Sequence, residues 1–221
     1  MADALVNEPT FDPSMESRLE QLGLSIALIH DALRPALDHA RNRSALATKS
    51  ARGSDLYQDS FENLALRLVP LGWHPQEVDG QPRLVHFDGR LALTVSSATN
   101  VASADPRLHP RTGKKGPATA RAVPAPAPHS ALDLPEFRSE AGAGGAAADA
   151  PLWFVLHELV DQGLNIAVAR PSGLNSSGAV VAWEERIPVP SLRDDEDFSV
   201  FPLDDGDEDA AAFDVPVTPR S

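Results

Sequence analysis

The spacing of apolar residues changes once along the chain, near residues 70–72. Upstream, apolar side chains recur three and four residues apart, as in Leu22, Ile26, Ile29 and Leu33. That spacing places them on one face of an α-helix. Downstream, apolar and polar residues alternate, which is typical of strands with one buried face. The order of the two patterns predicts helices followed by a sheet.

Two helices are predicted in the N-terminal part. Asp12-Pro13 supplies an N-cap and a first-turn proline, and the apolar stripe then continues to Ala40. A proline inside a helix costs about 3 kcal/mol, so we expect a bend, or a second helix starting, at Arg34-Pro35. Ser54-Asp55 begins the next helix, which ends at Pro70-Leu71-Gly72 because proline and glycine stop helices.

Six strands are predicted after the helices. The first three lie near 73–78, 83–87 and 90–97. They are joined by Asp79-Gly80 and Asp88-Gly89, and an Asp-Gly pair between β-prone residues is the strongest short hairpin signal.

The other three strands follow a spacer rich in Ala, Pro and Gly. Residues 152–156 are apolar on both faces, which suits a central strand. A second run contains Leu164, Ile166 and Val168. The last run, 179–190, contains two prolines that cannot donate to a ladder, so it is expected at an edge of the sheet.

Alternation in the last strand also predicts which side chains are neighbours. Trp183, Ile187 and Val189 fall on one face. Glu185 shares their parity, and a buried carboxylate without a partner is costly. We therefore expect Glu185 to pair with Arg170 on the neighbouring strand, in preference to acting as a catalytic acid of raised pKa.

These elements predict the α+β class: two N-terminal helices packed on one face of a roughly six-stranded, mainly antiparallel sheet. The expected organisation has five parts: a disordered N-terminus at 1–12, the helices and first three strands at 13–102, a basic loop and Ala/Pro/Gly-rich linker insertion at 103–150, the last three strands at 151–190, and a disordered acidic tail at 191–221. The insertion is expected inside one sheet, because three strands on either side would be marginal alone.

Charge is segregated along the chain. Residues 105–121 hold five basic residues against one acid, whereas 191–221 hold ten acids against two arginines. The formal net charge of the whole chain is −13. A phosphate backbone repels a protein that is negatively charged overall, so nucleic acid is expected to bind only through the basic loop, if at all.

The composition also excludes several classes of site. There is no cysteine, so disulfides, thiolate metal sites and cysteine catalysis are excluded. The histidines lack metal-ligand spacing, and the serine-hydrolase and nuclease motifs are absent. We therefore predict no catalytic residues, no metal and no cofactor. Residues 1–12 do not have the apolar core of a signal peptide, and no stretch approaches the roughly eighteen apolar residues of a membrane helix. A cytoplasmic protein with no membrane association is expected.

The basic loop is the best candidate site. Gly113 and Gly116 free the backbone to approach an anion. The residues predicted to contact an anion or a partner are Arg107, Arg111, Lys114, Lys115 and Arg121. In the tail, acids alternate with apolar residues, a pattern typical of segments that bind a groove or a sheet edge. Its predicted anchors are Phe198, Phe201 and Phe213.

Two functions follow from these patterns. The first is a non-enzymatic cytoplasmic accessory protein that contacts a protein partner through the basic loop and the acidic tail. The alternative is a protein that binds or processes a phosphorylated or nucleotide-like small molecule at the basic loop. Its pocket would be lined beside the two lysines by Thr94, Ser96, Thr99 and Asn100.

Two stretches carry a resemblance. They are Leu93–Ala122, with its run Pro-Arg-Thr-Gly-Lys-Lys-Gly-Pro-Ala-Thr, and Val180–Pro190. Together they resemble uncharacterised actinobacterial proteins that are often carried on mobile elements near helix-turn-helix regulators. The resemblance covers about a third of the chain and brings no catalytic residues.

Overall fold

Helices precede strands, as the apolar spacing predicts. The computed structural model describes residues 13–48, 50–103, 105, 107–123 and 146–193. Within these ranges the helices are α1 (Pro13–Gln21), α2 (Ile26–Arg41), α3 (Ala51–Leu68), α4 (Pro117–Ala122) and α5 (Ala146–Asp149), with a 3-10 turn at Val69–Leu71. The strands are β1 (His74–Val78), β2 (Gln81–Val85), β3 (Ala92–Thr99), β4 (Arg111–Thr112), β5 (Leu152–Val160), β6 (Gly163–Leu174) and β7 (Val180–Arg193).

The first predicted helix is two helices, and the break lies at Gly23 instead of Pro35. Gly23 adopts φ +76°, a conformation that glycine reaches without strain. The amides of Gly23 and Leu24 donate to the carbonyls of Glu20 and Leu19, which is a Schellman ending. Ser25 then caps α2 by accepting from the amide of Leu28 at 3.1 Å. Helix α2 continues through Pro35, so the helix start expected there was wrong.

The helices cover one face of the sheet. Helix residues such as Ile29, Leu33 and Leu64 are fully buried against sheet residues such as Val155 and Ile166. Removing that apolar surface from water is the main stabilising term of the fold. The predicted α+β class with N-terminal helices on one sheet face is confirmed.

The sheet has the order β1-β2-β3-β5-β6-β7, and β4 pairs with β3. Neighbouring strands are antiparallel except β3 and β5, which are parallel. A parallel pair needs a long crossover, and the predicted insertion lies in that connection. Asp79 and Gly80, both with positive φ, form the β1–β2 turn. Strand β5 is central and β7 ends the order, as their residue patterns predict.

The chain around β4 connects β3 to the residue that precedes β7. Ala98 of β3 pairs with Thr112 of β4, and Lys114 bridges to Ala179 just before β7. Strands β7, β6, β5 and β3 then pair in turn. A second apolar cluster, which includes Leu152, Phe154, Leu156, Ala167 and Ala169, fills the sheet face away from the main helices. The basic loop is therefore part of the sheet architecture.

The predicted face of Trp183 was wrong. Strand β7 is irregular where Arg170 pairs with Glu185 and the next residue, Pro171, pairs with Trp183. The extra residue on β7 is a bulge, and a bulge reverses the alternation of faces. Trp183 consequently packs on the second cluster, with its ring edge-on to Phe154. Ile187 and Val189 remain in the cluster under the helices.

Glu185 lies opposite Arg170 in the register, as expected, but its ion pair is with another residue. Arg18 of α1 donates from two nitrogens to the Glu185 carboxylate, with Nη2 at 2.7 Å from Oε2. Arg170 pairs with Glu184 in the bulge at 3.0 Å. The expected Arg170–Glu185 pair was therefore wrong, and Glu185 instead fastens α1 to β7.

The predicted disordered N-terminus lies outside the described residues. So do residues 124–145 of the linker insertion and the part of the acidic tail beyond β7.

Candidate functional site

The basic segment, which we define as residues 105–121, is fastened to the sheet at its centre. Trp183 Nε1 donates to the carbonyl of Pro110 at 2.7 Å. The amide of Val180 donates to Thr112 Oγ1 at 3.1 Å, and the amide of Lys115 donates to the carbonyl of Gly178 at 2.8 Å. Buried polar groups that are paired in this way fix the backbone to one position. Lys114 and Lys115 therefore project from a held strand.

The C-terminal part of the segment is held by an arginine beneath it. Arg83 of β2 is 1% exposed and donates from Nη2 to the carbonyl of Ala118 at 2.9 Å and to Gln81 Oε1 at 3.0 Å. Gln81 in turn donates to Thr119 Oγ1 at 2.9 Å. Burial lowers the pKa of the Arg83 guanidinium, although arginine stays charged at neutral pH. This network fixes helix α4 against β2.

A pocket of about 270 Å³ opens between the basic segment, the β1–β2 turn and helix α3. The basic segment contributes its two lysines and the start of α4 to the wall, and α3 contributes Tyr57. The other lining residues are Asp79, Gly80, Gln81 and Val95. A concave site with a few convergent polar groups is the usual form of a small-molecule site.

Lys115 is the lining residue whose charged group is removed from solvent. Its side chain is half-buried, and its Nζ donates to Ser96 Oγ and lies 5.9 Å from the ring centroid of Phe154. No described carboxylate forms an ion pair with it. Burial lowers the pKa of the Lys115 amine from 10.5 to about 8, because a charge in low-dielectric surroundings is disfavoured.

A buried histidine lies within electrostatic range of that amine. His157 of β5 is 2% exposed, and its Nε2 has no partner among the described residues. Burial, and secondly the charge of Lys115, lower the pKa of His157 to about 4. His157 is therefore neutral at pH 7, so it adds no charge to the pocket.

The predicted contact residues do not form one cluster. Arg107 and Arg111 are exposed, away from the pocket lining. Lys114 and Lys115 line the pocket together. Arg121 forms an ion pair with Asp79 across the pocket rim. The predicted tail anchors Phe198, Phe201 and Phe213 lie outside the described residues.

None of the four residues expected beside the lysines lines this pocket. Ser96 contacts Lys115, whereas the hydroxyl of Thr94 donates to the carbonyl of Pro82 at 2.9 Å. Thr99 and Asn100 lie farther along β3 and beyond its end. The Asn100 amide donates to Glu158 Oε1 at 3.0 Å. The pocket therefore lies toward β2 and not at the end of β3.

Sequence reasoning missed the other wall of the pocket. Tyr57 lies within the second predicted helix and was not assigned a role, and Asp79-Gly80 was predicted as a turn only. The available signal was Gln81-x-Arg83 on a strand whose polar side chains needed partners. Nothing in the local pattern shows that those partners lie about 35 residues later in the chain.

Other side-chain clusters among the described residues are weaker candidates for a binding site. In the described part of the chain, no group of three or more His, Asp or Glu could hold a metal ion. None of the described helices is long and apolar enough to span a bilayer. A second depression of about 340 Å³ lies along β3 and β4 and includes Arg111 and Thr112.

Comparison with protein families, with characterised proteins and with solved structures gives no match. The chemistry of the site therefore has to be argued from this chain's own residues.

Proposed function

We propose that this chain is a non-enzymatic cytoplasmic binding protein whose pocket receives the anionic group of a phosphorylated or nucleotide-like small molecule. The observation that carries the proposal is that Lys115, one of the residues that line a 270 Å³ pocket, has a half-buried amine with no carboxylate partner among the described residues. A cation left in such surroundings gains the most from an incoming anion.

The second lysine and the fastened backbone support the same proposal. Lys114 is exposed at the pocket wall and adds a second positive charge. The hydrogen bonds from Trp183, Val180 and Arg83 hold the segment before any ligand arrives. Binding then costs little ordering of the chain, which favours affinity.

Thermal denaturation with inorganic phosphate and a panel of mononucleotides tests the proposal. A ligand at 100 times its Kd stabilises a protein by about 2.7 kcal/mol, which corresponds to a Tm increase of roughly 5–10 °C for a domain of this size. The increase should disappear in the double variant Lys114→Met/Lys115→Met.

The matched control is Arg107→Met/Arg111→Met, which removes the same charge outside the pocket. This control should keep the Tm increase. Equal loss in both double variants would show that only overall charge matters, and would contradict a pocket.

The second candidate is contact with an acidic partner protein. The observation that favours it is the exposure of Arg107 and Arg111 on the outside of the fastened segment. We propose that the acidic tail, with its phenylalanines, then recruits or tunes that partner. Capture by full-length protein should be compared with capture by a version ending at Arg193, the end of β7. Identical partner sets would contradict a role for the tail.

A further inference from the structure

The chain has three lysines, Lys49, Lys114 and Lys115, and Lys115 differs from Lys114 in its surroundings. Lys114 is exposed, whereas the Lys115 side chain is half-buried between β3 and the aromatic ring of Phe154. Both residues line the same pocket. A small molecule held there would therefore lie beside one exposed lysine and one half-buried lysine.

Desolvation is what makes a lysine nucleophilic. The neutral amine attacks electrophiles and the ammonium does not, and an apolar pocket or a neighbouring cation increases the neutral fraction. Lys115 meets the first condition: its Nζ lies over the apolar ring of Phe154, and burial lowers its pKa.

Among the described residues, the titratable groups that share the pocket with Lys115 or act on its charge supply no free acid to neutralise it. Tyr57 of α3 is uncharged at pH 7, with its pKa raised by burial. Asp79 of the β1–β2 turn is engaged by Arg121. His157 of β5 is neutral, because burial lowers its pKa to about 4.

We infer that the Lys115 amine captures a carbonyl group of the bound molecule as an imine, so that the site takes compounds with both an anionic group and an aldehyde or ketone. The amine lone pair attacks the carbonyl carbon, the C=O π bond breaks, and the nitrogen releases one proton while the oxygen takes one up to give the carbinolamine. The carbinolamine then loses one water to give the imine, and water reverses the reaction. No oxidant or reductant is needed. The Ser96 hydroxyl, bonded to Nζ, orients the amine, and Lys114 holds the anionic group. This inference rests on the proposed anion pocket.

Labelling with pyridoxal 5′-phosphate, followed by borohydride reduction and peptide mass mapping, tests the inference. At pH 8 an amine of pKa about 8 is about half neutral, whereas an ordinary lysine is less than about 1% neutral. Lys115 should therefore carry at least about tenfold more adduct than Lys114 or Lys49. Lys115→Arg, which keeps the charge, should lose that adduct and keep a wild-type circular dichroism spectrum. Adduct spread over Lys49 and Lys114, with Lys115 labelled least, would overturn the inference.

Pyridoxal, which lacks the phosphate, separates this inference from the proposed function. Stronger labelling of Lys115 by the phosphate ester than by pyridoxal supports both. Equal labelling by the two aldehydes supports the imine and contradicts the anion pocket. Absence of Lys115 adduct, together with a Tm increase in inorganic phosphate, overturns the imine and leaves the proposed function standing.

Discussion

Replacing Lys115 by methionine should stabilise the protein at neutral pH. Methionine keeps the length of the side chain and removes the charge. The variant loses the hydrogen bond from Nζ to Ser96, but the Ser96 hydroxyl keeps a partner because it still donates to the carbonyl of Ser97 at 2.9 Å. What is removed is the cost of holding an ammonium in a half-buried site with no described carboxylate partner.

The size of the effect follows from the pKa of Lys115. A tenfold change in an equilibrium constant is about 1.4 kcal/mol, so a pKa that falls from 10.5 to about 8 sets a ceiling of about 3 kcal/mol. Partial solvent access screens a half-buried charge, and about 1–2 kcal/mol is the expected gain at pH 7.

The pH dependence fixes the sign of the effect. Between about pH 8 and pH 10.5 the unfolded state binds more protons than the folded state at Lys115, so wild-type stability rises with pH relative to the variant. The advantage of Lys115→Met should therefore be full below about pH 8 and vanish near pH 10.5.

Urea unfolding at pH 7, 8, 9 and 10, followed by tryptophan fluorescence, measures this difference. Trp73 and Trp153 are both buried and report on the core. Lys114→Met is the control, and because Lys114 is exposed its stability difference from wild type at pH 7 should be small. A Lys115→Met variant that is less stable than wild type at pH 7, or a difference that stays constant from pH 7 to pH 10, would refute the reasoning.

Three further predictions concern the scaffold. Gly163→Ala should lower the free energy of unfolding by more than about 3 kcal/mol or prevent folding, because its Cβ would lie 1.9 Å from a carbonyl oxygen of β7. The control Gly80→Ala, also at positive φ but in open space, should cost only about 1 kcal/mol. Equal losses of stability in urea unfolding would contradict this reasoning. Glu185→Gln should lower the free energy of unfolding by about 0.5–1 kcal/mol at pH 7. Because hydrogen bonds from Arg18 lower the pKa of Glu185, the stability advantage of the wild type should shrink as the pH falls below about 4.5. A stability loss that is independent of pH would contradict an ion pair. Arg83→Met should cost about 2–3 kcal/mol and expose the basic segment to trypsin, since α4 loses the guanidinium that holds its backbone; an unchanged cleavage rate would show that the segment is held elsewhere.

Local patterns were sufficient for most of the scaffold. The Asp79-Gly80 pair predicted a hairpin because its turn needs two residues of positive φ, and both have it. The prolines at the end of the chain's last strand predicted an edge because they cannot donate to a ladder. These features succeed because sequence neighbours determine them.

The predictions were wrong at features that the spacing of apolar residues does not show. The break at Gly23 depends on a capping motif that competes with a continuous apolar stripe. Helix α2 continues through the exposed Pro35, and its neighbours Leu33 and Leu37 are buried in the core. The bulge between Trp183 and Glu185 reverses one face of β7 without any signal in the alternation.

Only part of the candidate site could be predicted from the sequence. The two lysines and the glycines beside them could be singled out from charge and composition. The different surroundings of the two lysines could not be predicted, because Phe154 and Ser96 are distant from Lys115 in the sequence and contact it only in the folded chain. The pairing of Arg121 with Asp79 is also a long-range contact, and it turns a predicted binding residue into part of the pocket rim.

Side-chain NMR of the lysine ammonium groups tests the central claim most directly, because only three lysines contribute signals. Titration should be performed in chloride and in inorganic phosphate at equal ionic strength. The account predicts that Lys115 titrates near pH 8 in chloride and at higher pH in phosphate, because a bound anion favours the charged amine. Lys115 titrating near pH 10.5 in both salts would contradict it.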